Sequence, residues 1–235
     1  MVAGSVQEAP RTQLRTRVET AATIAVAICA VIVTLIMVRR EFFASSVAGR
    51  LRPQFIKNWN AYAAGDEQVG PATAVDTLVV FSDFECPYCR HLALTLGQLR
   101  RSRNFMLVHR NLPLTVIHPD ARRVAVGGEC AASQGRFAAY SDSVFAHQPE
   151  LGGIDLIRLA AGAGVRDVRE FRRCLQNRDP ERRLREDSIA AAALKISVTP
   201  TLLVNGWLLE GTPPESLLVR YFRDTVKALP VANDE

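Results

Sequence analysis

Apolar residues in the middle of the chain alternate between short uninterrupted runs and longer stretches with helical spacing. The run at residues 78–81 predicts a buried strand, and the leucines over residues 92–99 predict a helix that begins near Cys86. Residues 105–110 have the composition of a second buried strand. A strand, a helix and a second strand in this order predict a layered α/β domain.

Residues from about 119 to 194 show no strand pattern and are rich in alanine, with apolar residues at helical spacing. We therefore expect a helical insertion at this point of the α/β domain. Its predicted segments are one or two helices over residues 124–145, then helices over residues 154–163, 168–175 and 180–194.

Strand character returns after this insertion. Residues 201–204 predict a strand, Asn205-Gly206 predicts a tight hairpin, and residues 207–210 predict the returning strand. A capping pattern at Thr212 then predicts a final helix to about Leu229. The whole order predicts a mixed sheet covered by helices.

The N-terminal part of the chain has a different pattern. Residues 21–38 form an uncharged run that is long enough to cross a bilayer. We therefore expect a single transmembrane anchor there. Residues 1–20 are polar and are predicted to be a cytoplasmic tail. Residues 39–57 have apolar side chains every four positions and are predicted to be a juxtamembrane linker or amphipathic helix. The folded domain is then expected over residues 58–235.

The compartment follows from the anchor and from the cysteines. A cleaved signal peptide, cut in the small-residue run 44–48, is the alternative, but arginines between that run and residues 21–38 favour an uncleaved anchor. Positive charge flanks the anchor on both sides and does not set its orientation. One cysteine, Cys29, lies within the anchor, and the other four form an even number, which suits an oxidising compartment. We expect a single-pass cell-membrane protein whose folded domain is extracytoplasmic.

Composition and charge exclude one class of partner. The chain is 48% hydrophobic, enough for a substantial core, and its net charge of +5 comes mostly from scattered arginines. No compact basic and aromatic patch is visible, so these arginines indicate solvated helix faces and we expect no nucleic acid partner.

The chemistry of the chain centres on Cys86-Pro87-Tyr88-Cys89, where the first strand meets the first helix. A helix N-terminus stabilises a thiolate, so Cys86 is the expected nucleophile and Cys89, one turn later, the expected resolving thiol. Pro87 fits the first helical turn, where its missing N–H would be unpaired anyway. Half of a zinc site and an inert disulfide are the alternatives, but no second pair of ligands has suitable spacing. We expect no metal and no cofactor.

The ordered set of motifs resembles the DsbA-like branch of the thioredoxin superfamily. The resemblance rests on residues 81–89, on the helical insertion, and on Val198-Thr199-Pro200-Thr201 before the third strand. It implies a thioredoxin fold with a helical insertion and a cis-proline at Pro200 that faces Cys86. It also implies that the backbone of Thr199 pairs with an extended substrate. The dipeptide Pro87-Tyr88 is expected to tune the redox potential through the pKa of Cys86.

Cys130 and Cys174 remain outside this motif. In an oxidising compartment they are expected to form one disulfide that links the first helix of the insertion to a later one. Two free buried thiols are the alternative.

The expected activity is thiol:disulfide exchange. The resemblance implies that the chain introduces disulfides into reduced, unfolded exported proteins. It also implies reoxidation by a membrane partner of the DsbB or vitamin K epoxide reductase type. A disulfide reductase or isomerase, and a non-catalytic tethered chaperone or binding module, are the alternative functions.

Overall fold

The computed structural model describes residues 28, 30–34, 53–65 and 67–222. Strands in this part of the chain form one six-stranded mixed sheet with the order β1-β6-β5-β3-β4-β2. They are β1 (Gln54–Phe55), β2 (Gln68–Val69), β3 (Asp76–Ser82), β4 (Phe105–Asn111), β5 (Thr201–Val204) and β6 (Trp207–Glu210). Strands β3 and β4 run parallel, and every other neighbouring pair is antiparallel. The predicted mixed sheet is therefore confirmed.

Helices account for most of the remaining described residues. They are α1 (Pro87–Leu99), α2 (Ala121–Ala132), α3 (Phe137–Ala146), α4 (Leu156–Gly162), α5 (Val168–Leu175), α6 (Asp179–Ala193) and α7 (Glu215–Arg220). Two short 3-10 helices span Trp59–Tyr62 and Gln148–Gly153. The five helices α2 to α6 lie between β4 and β5, so the predicted helical insertion is confirmed.

Strand β3 is the centre of the core because both of its faces are covered. Leu78 and Val80 pack in a cluster with leucines of α1 and with Leu218 of α7. The alternate residues Val79 and Phe81 pack on the opposite face, in a cluster with Ala191 of α6. This alternation follows from the period of two in a strand, and it explains why the sequence run is apolar without a break.

The hairpin between β5 and β6 has the predicted two-residue turn. Asn205 has a φ of 49° and Gly206 a φ of 96°, the left-handed values that such a turn needs. The side-chain amide of Asn205 accepts a hydrogen bond from the backbone N–H of Thr77 through its oxygen and donates one to Asp76 Oδ1 through its nitrogen. A Cβ on Gly206 would lie 2.5 Å from a ring atom of Trp59, so the turn requires glycine for space as well as for its backbone angles.

The start of the domain differs from the prediction. Residues 39–57 were expected to form a linker or helix, but Gln54–Phe55 is a strand paired with β6. Phe55 makes an edge contact with Trp207, with ring centroids 5.3 Å apart, and Ile56 N–H donates to the Gly206 carbonyl. Phe55 of the apolar repeat therefore contacts the hairpin from a strand rather than from a helix, and the repeat positions before residue 53 lie outside the described residues. The sheet thus begins before the expected boundary at residue 58.

The chain divides into two units, Met1–Arg52 and Pro53–Glu235. Of the predicted anchor over residues 21–38, the structure describes residues 28 and 30–34, which are helical. Among the described residues, no helix is long and apolar enough to cross a membrane. The rest of the predicted anchor and the tail over residues 1–20 lie outside the described residues. The final helix was predicted to reach about Leu229, but α7 ends at Arg220 with Tyr221 as its C-cap, and residues 223–229 lie outside the described residues.

A disulfide braces the helical insertion. Cys130 in α2 and Cys174 in α5 are bonded, with their Cα atoms 5.7 Å apart and 44 positions between them in sequence. Both helices pack in a single apolar cluster that includes Tyr140 and Phe171. The bond therefore closes a long loop around the core of the insertion.

Removing this bond should lower the stability of the chain. We expect the double substitution Cys130→Ala and Cys174→Ala to lower the free energy of unfolding by up to about 4 kcal/mol, because the unfolded chain gains the entropy of the opened loop. Urea unfolding of the purified chain measures this loss. The matched control is Cys86→Ala with Cys89→Ala, and equal stability of wild type and the Cys130/Cys174 variant would contradict the expectation.

Candidate active site

Cys86 lies at the junction between β3 and α1. A tight turn follows the end of β3, in which the Cys86 N–H donates to the Asp83 carbonyl at 3.1 Å. Cys86 is the N-cap residue of α1, with extended backbone angles, and Pro87 is the first residue of the helix. The helix therefore begins where the sequence predicts, and its unpaired N–H groups lie next to the Cys86 sulfur.

The surroundings of Cys86 favour the thiolate. Its pKa is lowered to about 5, chiefly by a hydrogen bond from the Cys89 thiol. Burial opposes this change, while Thr199 and the backbone of Cys89 and Tyr88 support it. Since the pKa lies well below neutral pH, Cys86 is ionised at pH 7.

Cys89 has the opposite character. Burial raises the pKa of its thiol, and the hydrogen bond to Cys86 raises it further. Cys89 is only 2% exposed, and its Sγ accepts a long hydrogen bond of 3.4 Å from the Asp83 N–H. Cys86 and Cys89 are both free thiols in this structure. The pair therefore holds one proton on Cys89 and one negative charge on Cys86.

The loop before β5 faces this pair. The peptide bond between Thr199 and Pro200 is cis, and the Cys86 thiol lies 3.4 Å from the Thr199 carbonyl oxygen. Lys195, just before this loop, has a φ of 57°, a left-handed conformation that glycine usually adopts. The N–H groups of Lys195 and Ile196 bond back to α6. The chain thus ends this helix with a lysine in a left-handed conformation and without a glycine.

The carboxylate of Asp83 holds the site together, although the sequence pattern offered no role for it. Asp83 is 1% exposed. Its Oδ2 accepts a hydrogen bond from the Leu114 N–H at 2.7 Å, and the same oxygen contacts His118 Nδ1 at 2.8 Å. The carboxylate of Glu85 accepts a hydrogen bond from the Asp120 N–H at 2.6 Å. These contacts fix the segment between β4 and α2 against the turn that carries Cys86.

A second brace comes from the insertion. The Gln148 side-chain amide donates to the carbonyl oxygens of Phe84 and Cys86, at 2.7 and 3.0 Å. A single glutamine 62 positions from Cys86 has no sequence signal that would identify this role. His91, on the first turns of α1, is exposed. Tyr88 is 66% exposed beside Cys86.

A buried polar cluster lies behind the site, and sequence patterns did not predict it. One carboxylate oxygen of Glu67 contacts His109 Nδ1 at 3.0 Å and accepts from the Asn111 amide at 2.8 Å. Burial raises the pKa of Glu67 well above its ordinary value and raises that of Glu129 to about 9. Burial lowers the pKa of His109 to about 4, so its imidazole is neutral at pH 7.

Three carboxylates of this cluster have the spacing of a cation site. The oxygens of Glu67, Glu129 and Asp187 lie within 4.8 Å of one another. However, Arg183 pairs with Glu129 at 2.9 Å and Arg110 pairs with Asp187 at 2.7 Å. Burial also favours the neutral form of Glu67 and Glu129. With these two groups neutral and Arg110 beside Asp187, charge balance does not require a metal ion.

Known proteins resemble the part of the chain that carries this site. The family model described as Thioredoxin matches residues 63–220. A Na(+)/H(+) antiporter of Salinispora tropica, NhaA 3, is 39% identical over 142 residues, which are 60% of this chain and 22% of that protein. The chain thus spans about a fifth of the length of this relative, and the antiporter name describes the whole relative.

Solved structures share the fold. A thioredoxin-like oxidoreductase from Silicibacter pomeroyi superposes with a TM-score of 0.62 at 21% identity, covering 74% of this chain and 100% of that one. Pseudomonas aeruginosa DsbA2 superposes with a TM-score of 0.60 at 26% identity, covering 72% of this chain and 98% of that one.

The hydrogen bond between the two cysteines can be tested with a matched pair of variants. In Cys89→Ala the donor to the Cys86 thiolate is lost, and we expect the pKa of Cys86 to rise by at least about one pH unit, as a hydrogen bond to a charged group is worth about 1.5 kcal/mol or more. In Cys89→Ser the hydroxyl still donates, so the rise should be smaller. Thiolate absorbance against pH, together with the rate of alkylation of Cys86, measures both values. Equal values in the two variants would contradict this role of Cys89.

Proposed function

The chain belongs to the thioredoxin family, as a DsbA-like thiol:disulfide oxidoreductase, and on that premise we propose that it introduces disulfides into exported proteins. The observation that carries the proposal is the ionised Cys86 beside the protonated Cys89. A stable thiolate stabilises the reduced form of the pair, and a stable reduced form makes the disulfide a stronger oxidant. A Cys86 pKa of about 5 lies between the values of about 7 in thioredoxin and about 3.5 in DsbA.

The proposed reaction transfers two electrons from the substrate to the Cys86–Cys89 disulfide. A substrate thiolate attacks the Cys86 sulfur, the bond to Cys89 breaks, and Cys89 leaves and takes up a proton in its buried position. A second substrate thiolate then attacks the substrate sulfur of the mixed disulfide. The new substrate disulfide forms, and Cys86 leaves as a thiolate, which its low pKa favours.

The loop before β5 supports a mode of substrate binding. The carbonyl of Thr199 lies 3.4 Å from the Cys86 sulfur, beside cis-Pro200. An extended substrate segment can pair with this backbone while its cysteine is bonded to Cys86. Thr199 and Pro200 are therefore the proposed substrate-binding residues, and Pro87-Tyr88 is the dipeptide that tunes the potential.

We also propose that the chain is anchored in the cell membrane by residues 21–38, with the oxidoreductase domain outside the cytoplasm. The uncharged run supports the anchor. The Cys130–Cys174 disulfide supports an oxidising compartment. In this arrangement the reduced pair is reoxidised by a membrane partner of the DsbB or vitamin K epoxide reductase type.

Disulfide transfer tests the activity directly. The oxidised full chain, purified in detergent and added to a reduced unfolded protein, should form substrate disulfides, whereas Cys86→Ser should form none because the attacked sulfur is absent. The variant Cys89→Ser, first oxidised at Cys86 to a mixed disulfide with glutathione, should exchange glutathione for a thiol of a single-cysteine substrate. This new mixed disulfide should accumulate, because no Cys89 thiol is present to displace the substrate. Equal rates for wild type and Cys86→Ser would favour a non-catalytic binding module.

The direction of the reaction is tested by the reduction potential. We expect a value between about −120 and −200 mV, on the oxidising side of thioredoxin at about −270 mV, because the reduced form gains from the Cys86 thiolate. Equilibration of the Cys86–Cys89 pair with glutathione buffers, followed by alkylation and mass spectrometry, measures it. A value near −270 mV would indicate a reductase, and the Cys130–Cys174 peptide serves as the internal control for a structural bond.

A further inference from the structure

A cleft between α1 and α3 has no role in the chemistry described above. Its volume is about 270 Å³, and the sheet forms its floor. Most of its wall is apolar, and Cys89, Ser82 and His109 lie among the lining residues. For comparison, an engineered apolar cavity of about 150 Å³ binds benzene. The cleft is therefore large enough for a molecule of roughly two fused rings.

One side chain that lines this cleft has a buried polar atom with no partner among the described residues. His109 is 8% exposed, its Nδ1 contacts Glu67, and its Nε2 makes no hydrogen bond. The ring of Phe84 stacks on the imidazole at 5.2 Å and that of Phe137 lies at 5.0 Å. Nε2 is itself closed to solvent. With Nδ1 and the ring faces occupied, Nε2 is the polar atom of His109 that an occupant of the cleft would reach by displacing the side chains over it. A buried polar atom without a partner is costly, so an occupant with a hydrogen-bonding group would be favoured.

The mouth of the cleft carries no net charge. Arg100 and Asp142 both line the cleft, and their opposite charges attract each other. The Arg100 guanidinium also lies 5.9 Å from the centre of the Phe105 ring. Opposite charges at the mouth and an apolar wall together favour a neutral occupant over an ionised one.

Two small residues leave the mouth open. Gly97 on α1 and Ala138 on α3 are both exposed and line the cleft from opposite sides. A Cβ at Gly97 would have no atom within 4 Å. A larger side chain at either position would therefore narrow the entrance without disturbing the core.

We infer that this cleft binds a neutral, mostly apolar molecule of about two fused rings, whose hydroxyl or carbonyl group hydrogen-bonds Nε2 of His109. The bound molecule lies beside the Cys89 thiol and shields it from solvent. Occupancy is thereby coupled to the resolving cysteine rather than to the nucleophile.

The first test measures binding of 2-naphthol, naphthalene and 2-naphthoate to the full chain in detergent by titration calorimetry. We expect saturable binding of 2-naphthol. Its affinity should be about fivefold higher than that of naphthalene, which cannot form the hydrogen bond, and about fivefold higher than that of 2-naphthoate, which brings an unpaired charge. Absence of saturable 2-naphthol binding overturns the inference. Equal affinity for naphthalene overturns the role of His109.

Matched variants locate the site. Gly97→Leu and, independently, Ala138→Leu should each weaken 2-naphthol binding at least about tenfold, whereas Gly97→Ala should stay within about twofold of wild type. Partition into detergent is the same for all variants and is subtracted, and circular dichroism checks that each variant is folded. Unchanged binding in both leucine variants overturns the assignment to this cleft.

The coupling to Cys89 has its own readout. Saturating 2-naphthol should slow alkylation of Cys89 in Cys86→Ser at least about threefold, and leave alkylation of Cys86 in Cys89→Ser unchanged, because Cys89 lines the cleft and Cys86 does not. Peptide mass spectrometry identifies the alkylated residue. Equal slowing at both cysteines overturns this placement, whatever the outcome of the disulfide-transfer assay.

Discussion

A single proton shared unequally between two sulfurs is the constraint on which this site depends. Cys89 keeps the proton because it is buried, and by donating a hydrogen bond it keeps Cys86 ionised. The raised pKa of Cys89 and the lowered pKa of Cys86 depend on each other. If Cys89 were exposed, its pKa would fall, and Cys86 would lose the hydrogen-bond donor that stabilises its thiolate. The strand-to-helix junction sets this difference, because it places the first sulfur at a helix N-terminus and the second one turn inside the core.

The helical insertion does more than enlarge the domain. Gln148 from its 3-10 helix binds two carbonyl groups of the turn that carries Cys86, and Asp83 holds the segment that leads into the insertion. The Cys130–Cys174 bond then ties α2 to α5. The turn that carries the nucleophile is thus held both by the sheet and by the insertion, which limits its movement when a mixed disulfide forms.

Local patterns predicted the fold well because β3, α1 and the β5–β6 hairpin each have a strong periodic or turn signal. The helix start at Cys86 follows from Pro87 and the leucine spacing, and the hairpin from Asn205-Gly206. Strand β2 was missed because two residues carry no periodicity. Phe55 was assigned to a helix or linker but lies in a strand, because a side chain that contacts a distant hairpin can match a helical spacing by coincidence.

The residues of the candidate site also fall into those that the sequence predicted and those that it did not. The two cysteines and Pro200 lie in short motifs, whereas Gln148, Glu67 and Asp187 act through contacts across 44 to 76 positions of sequence. No local rule joins residues so far apart, and a buried acid looks like any other acid in sequence. The polar cluster therefore became visible only when the fold brought its members together.

Both borders of the sheet are formed by strands of two residues, Gln54–Phe55 and Gln68–Val69. Each covers part of a longer neighbour, β6 or β4, and so shortens the row of free backbone groups to which another chain could add a strand. On the proposed function the chain meets unfolded polypeptides, and such addition would lead to aggregation with them. Short borders limit this addition, so that an extended substrate would pair at the loop beside Cys86, as proposed above, and not at the edges of the sheet.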